Sequence, residues 1–251
     1  MTTLRIVQLH HDLLGVTGDR GNVDVLVARA RAAGHEAVVE RIGLGEPSPA
    51  DADIVVIGNG PLSAMRAVRD DLSTRRDWLS ARLAAGASVL AVGGGAELLT
   101  HGVALLDGSR IDGLGLVPVV VTRTRARRVG YIIADTADGR LIGFEDHASQ
   151  WELDQDADPG IRYGKVVVGK GGLADGFETI AFDGVWATNV QGPVLPLNPQ
   201  LADAILRRAL ARSGAAYEQA GGHETFDIHA RAARADIERL AESKQFSTIT
   251  L

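Results

Sequence analysis

Two glycine-rich turns are the clearest places in this sequence where chemistry could occur. Gly58-Asn-Gly60 follows an apolar run at residues 53–57, and Gly93-Gly-Gly95 follows another at residues 88–92. If these runs are parallel strands, ligands bind beyond their carboxyl ends, where glycines let backbone N–H groups approach a substrate. Close packing of strand against helix is the alternative explanation of the same glycines. Neither turn matches the fingerprint of a dinucleotide- or nucleotide-binding loop, which disfavours such cofactors.

Histidines with neighbouring carboxylates are the other candidates. In Gly143-Phe-Glu-Asp-His147, Glu145 and His147 could do acid–base work, although a loop histidine held by its neighbours is the more common case. His10 and His11 would point to opposite sides of a strand, so they make a poor metal pair and are interpreted as strand-end residues. His223 and His229 lie in a charged C-terminal stretch and are expected in solvent.

The composition excludes several classes of protein. The chain has 251 residues and no cysteine, so disulfides, Cys-ligated zinc, iron–sulfur clusters and a Cys nucleophile are ruled out. A net charge of −6 argues against general binding to nucleic acid or anionic membranes. The one basic run, residues 123–128, is interpreted as a solvated face or a partner contact. No stretch is apolar enough to predict a membrane span, and no signal peptide is recognised. We therefore expect a cytoplasmic protein without metal or cofactor.

The elements that must position these residues alternate between strand and helix in the first 100 residues. Apolar runs predict buried strands at 4–9, 53–57 and 88–92, with helices at 22–33, 62–85 and from 96 onward. This alternation is typical of a parallel sheet covered on both faces. Further strands are predicted at 117–122, 141–144, 165–169, 178–182 and 185–190. A helix opened by Asn198-Pro199 and a charged helix at 223–242 then complete a single α/β domain with an antiparallel second half.

The ordered set of motifs resembles the class I glutamine amidotransferases, most closely the GatD type, which is related to the CobB/CobQ glutaminase domain. Besides the two turns and the segment ending at His147, the matching motifs are Gly18-Asp-Arg-Gly-Asn22, Leu114-Gly-Leu116, Tyr163-Gly-Lys-Val166 and Gln191-Gly-Pro-Val-Leu-Pro196. The resemblance spans residues 4–240. It implies a three-layer, flavodoxin-like fold, with a mostly parallel sheet and an antiparallel extension, a core at 4–213 and a charged helical tail at 214–251. It also implies a MurT-type, Mur-ligase-like partner, because GatD-type proteins form heterodimers with such subunits and amidate the glutamate of the peptidoglycan stem.

The resemblance also locates the family's reacting groups, and this chain departs from the pattern there. The Cys nucleophile and the His base fall on Gly93 and Gln191, and these side chains can neither attack an amide nor accept a proton at neutral pH. A Gln near the substrate is replaced by Glu97, and an Arg that looks like the clamp for the α-carboxylate falls on Gln150. These two changes would repel the anionic end of glutamine. The resemblance thus implies a scaffold without glutaminase activity.

Three functions fit these observations. The first is a catalytically silent subunit that supports or regulates a Mur-ligase-like synthetase. The second is an enzyme with new chemistry in the same cleft, using Glu97, Glu145 and His147. The third is a subunit of an amidating complex that takes free ammonia. The sequence favours the first over the second and does not separate it from the third. The residues expected around the pocket are Gly58, Gly60, Gly94, Gly95, Glu97, Glu145, His147 and Gln150.

Overall fold

The fold is built on one mixed β-sheet flanked by helices, seen in a computed structural model that describes residues 1–241. The strands are β1 (Thr3–Leu9), β2 (Glu36–Ile42), β3 (Ile54–Ile57), β4 (Ser88–Val92), β5 (Gly102–Ala104), β6 (Arg110–Asp112), β7 (Val119–Thr136), β8 (Gly139–Leu153), β9 (Arg162–Val168), β10 (Phe177–Phe182), β11 (Val185–Thr188) and β12 (Val190–Gln191). The helices are α1 (Arg20–Ala32), α2 (Leu62–Thr74), α3 (Arg76–Ala84), α4 (Gly94–Leu99), α5 (Val194–Leu197), α6 (Pro199–Ala211) and α7 (Glu224–Ala241). Across the sheet the order is β12-β8-β7-β9-β10-β11-β4-β3-β1-β2, with β5 and β6 beside β7.

The half of the sheet formed by β2, β1, β3, β4 and β11 is parallel. Every residue of β3 and β4 is buried, because helices cover both faces of these strands. Alternate side chains of β3 enter different cores: Val55 and Ile57 pack with α2, α3 and α4, whereas Ile54 and Val56 pack with α1 and α6. The α/β sheet with a parallel core is therefore confirmed.

The other half of the sheet is antiparallel and is dominated by the hairpin of β7 and β8. The basic run at residues 123–128 lies inside β7, at a bulge where the register against β8 shifts between Arg123 and Arg128. The predicted strands at 117–122 and 141–144 are therefore parts of two much longer strands. The pairs β7–β9, β9–β10 and β10–β11 join the hairpin to the parallel half, which confirms the antiparallel extension.

Some sequence-based expectations are wrong in detail. The helix predicted over 62–85 is two helices, with a break at Arg75, whose guanidinium donates to Asp71 and to the carbonyl of Glu46. The strand β2 was not predicted. His223 is buried against Tyr217, with 2.9 Å between its Nε2 and the tyrosine hydroxyl, whereas His229 is exposed as expected. The end of the predicted tail, from residue 242, lies outside the described residues.

Helix α7 is otherwise close to its predicted bounds, and it is tied to the rest of the molecule through the buried Arg29 of α1. This guanidinium donates to Asp203 of α6 at 2.7 and 3.0 Å and to Asp227 of α7 at 2.6 Å. Within residues 1–241, no helix has the combination of length and apolarity that crossing a bilayer requires.

Candidate functional site

A sharp strand-to-helix turn lies at the centre of the candidate site. Gly93, between β4 and α4, has a φ of +50° and a ψ of −118°, a conformation that favours glycine. A Cβ on Gly94 would lie 2.7 Å from the carbonyl oxygen of Gly60, and one on Gly95 would lie 2.4 Å from that of Gly58. The glycines of the two turns therefore permit a close approach of one backbone to the other.

A cavity of about 580 Å³ opens at this turn, beyond the carboxyl ends of β1, β3 and β4. Its walls come from the loop after β1, the two glycine turns, the bulged hairpin and the segment around β12. The lining residues are Val16, Thr17, Asn59, Gly60, Pro61, Leu62, Gly93, Gly94, Glu97, Arg123, Arg127, Asp146, His147, Ala148, Asn189 and Gln191.

The structure divides the predicted site residues into two sets. The cavity is lined by Gly60, Gly93, Gly94, Glu97, His147 and Gln191. The residues outside its lining are Gly58, Gly95, Glu145 and Gln150. Gly58 and Gly95 serve the packing between the two turns. Gln150 lies on β8 and donates to Glu152 at 3.3 Å, so its side chain is directed to a neighbour on its own strand.

The two positions assigned to the family's reacting pair carry no reactive group. Gly93 offers only backbone, and Gln191 donates from Nε2 to the carbonyl of Asp146 at 2.9 Å. The hydroxyl of Thr17, also on the wall, donates to Asp19 Oδ2 at 3.0 Å. Burial raises the pKa of the Asp19 carboxyl, while hydrogen bonds from Asn59 and Thr17 act in the opposite direction. These contacts do not form a nucleophile–base pair.

Glu97 does not face the cavity as a free negative charge. Its Oε2 accepts from Arg123 Nη2 at 2.6 Å, and only 2% of the Glu97 side chain is exposed. Burial raises the pKa of Glu97, and the charge of Arg123 acts in the opposite direction. This ion pair weakens the repulsion of an anionic ligand that the sequence alone suggested. Arg127, paired with Asp146 at 2.5 Å, adds a second guanidinium to the wall.

Glu145 and His147 have different surroundings although they are two residues apart. Glu145 accepts from the N–H groups of Lys170 and Gly171 at 2.8 and 2.9 Å, so it fixes the loop after β9. His147 has its Nδ1 3.1 Å from the carbonyl oxygen of Ser149, and because a carbonyl oxygen can only accept, Nδ1 is the donor in this contact. Its Nε2 is buried without a hydrogen-bond partner among the described residues and lies 3.6 Å from Glu145.

Sequence reasoning missed several lining residues, of which Arg123 is the most important. A usable signal was present, because Val119, Val121 and Arg123 alternate along β7 and the two valines are buried. The amide of Asn189 was also missed, and both of its polar side-chain atoms are buried without a partner among the described residues. Within residues 1–241, no cluster of His, Asp or Glu side chains is arranged to hold a metal ion.

Comparison with known proteins gives consistent matches. A sequence profile of the CobB/CobQ-like glutamine amidotransferase domain matches residues 5–198. Two curated relatives are lipid II isoglutaminyl synthase (glutamine-hydrolyzing) subunits GatD, each 28% identical to this chain. The alignment covers 83% of this chain and 81% of the protein from Streptococcus pneumoniae. For the protein from Staphylococcus aureus the two figures are 87% and 89%.

Solved structures show the same fold at low sequence identity. A structure of PurLQS from Thermotoga maritima is similar with a TM-score of 0.56 and 11% identity, covering 81% of this chain and 97% of the other. A crystal structure described as a glutamine amidotransferase is similar with a TM-score of 0.51 and 15% identity, covering 83% of this chain and 99% of the other.

Proposed function

The chain belongs to the family of CobB/CobQ-like glutamine amidotransferases, and we propose that it acts there as a subunit that does not hydrolyse glutamine. The observation that carries this proposal is a preserved scaffold without the reacting group. The cavity and the strand-to-helix turn are present, but the turn has Gly93 at its apex and the chain contains no cysteine. Without a thiolate, the covalent thioester route of Cys-dependent glutaminases cannot operate.

The partner in this proposal is a Mur-ligase-like synthetase of the MurT type. The two curated relatives are subunits of lipid II isoglutaminyl synthase (glutamine-hydrolyzing), and each is aligned over most of its length. Retention of the fold without the glutaminase chemistry fits a subunit whose remaining role is to bind the synthetase and to stabilise or regulate it. A cytoplasmic location is part of the same proposal, and cell fractionation tests it.

Co-expression with the Mur-ligase-like synthetase of the same organism tests the association. We expect the two chains to copurify and to elute together from gel filtration at the mass of a heterodimer. We also expect the synthetase to lose activity or stability when this chain is omitted. Separate elution at micromolar concentrations of both proteins would contradict the proposal.

The source of nitrogen distinguishes a silent subunit from a hydrolysing one. In the copurified complex, ligation or amidation by the synthetase should proceed with ammonium salts and not with L-glutamine. An ammonia-dependent complex is the form of this proposal in which the synthetase makes an amide. Product formation at comparable rates from L-glutamine would overturn it.

The contacts around Glu97 and Glu145 count against repurposed acid–base chemistry. Glu97 is held by Arg123, and both oxygens of Glu145 accept backbone N–H groups. Of these three side chains, only His147 has a buried polar atom, its Nε2, without a hydrogen-bond partner among the described residues. The variants Glu97→Gln and His147→Ala test this second function; unchanged cellular phenotypes in both would eliminate it.

A further inference from the structure

The side chain of Asn59 occupies the part of the cavity nearest to Gly93. Its Oδ1 accepts a hydrogen bond from the backbone N–H of Gly94 at 2.9 Å. A Cβ built on Gly93 would lie 2.2 Å from Asn59 Oδ1 and 2.6 Å from its Cγ. Both distances are far below van der Waals contact, so a side chain at position 93 and this conformation of Asn59 exclude each other.

The loop that carries Asn59 is held from both sides. Its N–H donates to the buried Asp19 at 3.0 Å, and its carbonyl accepts from the N–H of Val16 at 3.2 Å. The preceding Gly58 packs so closely that a Cβ there would lie 2.2 Å from the carbonyl oxygen of Leu14. These contacts fix the backbone of Asn59, so its carboxamide is aimed at the turn by the fold.

The N–H that Asn59 binds has a defined role in enzymes with a nucleophile on a strand-to-helix turn. There the backbone N–H of the residue after the nucleophile belongs to the oxyanion site and receives the carbonyl oxygen of the substrate. In this chain that residue is Gly94. Asn59 presents to it a carboxamide oxygen, the same chemical group that an amide substrate would present.

We propose that Asn59 is a resident occupant of the oxyanion site, a built-in carboxamide that takes the place of a ligand carbonyl at Gly94 and the space of a side chain at position 93. The site is closed by the protein itself, in addition to lacking a nucleophile. A carbonyl ligand can reach the Gly94 N–H only by displacing Asn59. This inference rests on the geometry of the turn and not on the presence of a synthetase partner.

Hydrogen exchange at the Gly94 amide, measured by NMR on the full chain, tests the contact directly. Asn59→Ala removes the acceptor and should accelerate exchange at Gly94 by about tenfold, the equivalent of one lost hydrogen bond. The matched control is Asn59→Asp, which has nearly the same shape and keeps an acceptor oxygen, so protection should persist. Unchanged exchange in Asn59→Ala, or equal acceleration in both variants, would overturn the proposal.

A double-mutant cycle tests whether the two positions share one space. Asn59→Ala alone should lower the Tm by about 2–4 °C, the shift typical for one hydrogen bond in a chain of this size. In the background of Gly93→Ala, the same change should raise the Tm, because it removes the clash with the new Cβ. A decrease of equal size in both backgrounds would refute the shared space. If Gly93→Ala does not fold, the exchange experiment decides alone.

These experiments separate the inference from the proposed function. Rapid ammonia release from L-glutamine by the natural chain would end the proposed function and leave the Asn59 contact to be judged by exchange. Fast exchange at Gly94 in the natural chain, as fast as in Asn59→Ala, would end the inference and leave the loss of the nucleophile untouched.

Discussion

Replacing Arg123 by Met should destabilise the protein much more than the same change at Arg127. The two arginines lie on one strand, line one cavity and each pair with a carboxylate. They differ in burial. The Arg123–Glu97 pair has side-chain exposures of 20% and 2%, whereas the Arg127–Asp146 pair has exposures of 49% and 34%.

The magnitude follows from that difference. Removing one partner of a buried ion pair leaves an uncompensated charge and costs about 3–5 kcal/mol. Because Arg123 keeps contact with solvent, we expect the lower end for Arg123→Met, about 3 kcal/mol. The exposed pair at Arg127 should contribute at most about 1 kcal/mol. In thermal unfolding, 3 kcal/mol corresponds to a Tm lower by about 6–12 °C for a chain of this size.

The pH dependence gives an independent check. Burial raises the pKa of Glu97 and Arg123 opposes that rise, so removal of Arg123 should raise the pKa further. A carboxyl whose pKa is higher in the folded than in the unfolded state stabilises the fold at low pH, and this stability is lost as the pH rises through the folded pKa. The deficit of Arg123→Met should therefore shrink as the pH is lowered towards about 4.

Urea unfolding followed by far-UV circular dichroism, at several pH values, measures both effects. The double variant Arg123→Met with Glu97→Gln should recover part of the loss, because no buried charge remains. Equal losses of less than about 1 kcal/mol in Arg123→Met and Arg127→Met would refute the reasoning. A deficit that grows on acidification would refute the assignment of the buried charge to Glu97.

Three further changes have expected outcomes. Arg29→Met should lower the free energy of unfolding by about 3–5 kcal/mol, because it leaves the buried Asp203 without its cationic partner. Arg20→Ala is the control: its pair with Asp24 has side-chain exposures of 74% and 61%, so the free energy of unfolding should change by less than about 0.5 kcal/mol. Urea titrations measure both values. Burial alone would raise the pKa of Asp71, but hydrogen bonds from Arg75 and His10 outweigh it and lower the pKa to about 2. The free energy of unfolding of the natural chain should therefore fall by about 2 kcal/mol as the pH falls from about 4 to about 2. Asp71→Asn should lack this acid-dependent loss in denaturation curves, and an identical pH profile would contradict the contribution of Asp71. The double variant Gly93→Cys, Gln191→His should release no ammonia from L-glutamine above the natural chain in a coupled dehydrogenase assay, because Glu97 and Gln150 remain and any side chain at position 93 meets Asn59. Turnover approaching that of a working glutaminase would show that the cavity is otherwise intact.

The hydrophobic pattern of the sequence correctly predicted the elements in which apolar residues are also the buried residues. The strands β3 and β4 are apolar at nearly every position because both of their faces are covered, and the glycine turns after them were placed correctly. The strand β2 was not predicted, because it lies at the edge of the sheet and its charged residues Glu36, Glu40 and Arg41 interrupt the apolar pattern. Its stability comes from pairing with β1 over seven residues, which is a tertiary contribution.

The candidate site was less predictable than the fold, because the walls of the cavity other than the two glycine turns depend on contacts between residues far apart in the sequence. Arg123 lies within β7 because this strand continues beyond residue 122, where the sequence predicted its end, and its side chain contacts Glu97. His223 is buried against Tyr217, a loop residue whose hydroxyl also donates to Asp203 of α6. The alternation along β7 indicates which face Arg123 lies on, but no single segment identifies the partner of either side chain. The closed state of the Gly94 amide likewise depends on two turns that are 35 residues apart.

Ammonia release from L-glutamine by the purified natural chain, alone and with the synthetase proposed as its partner, tests the central claim most directly. With no cysteine in the chain and a backbone apex at Gly93, we expect no release above the buffer background in either case. Sustained, enzyme-dependent release that survives repeated purification and rises in proportion to the concentration of this chain would contradict the account.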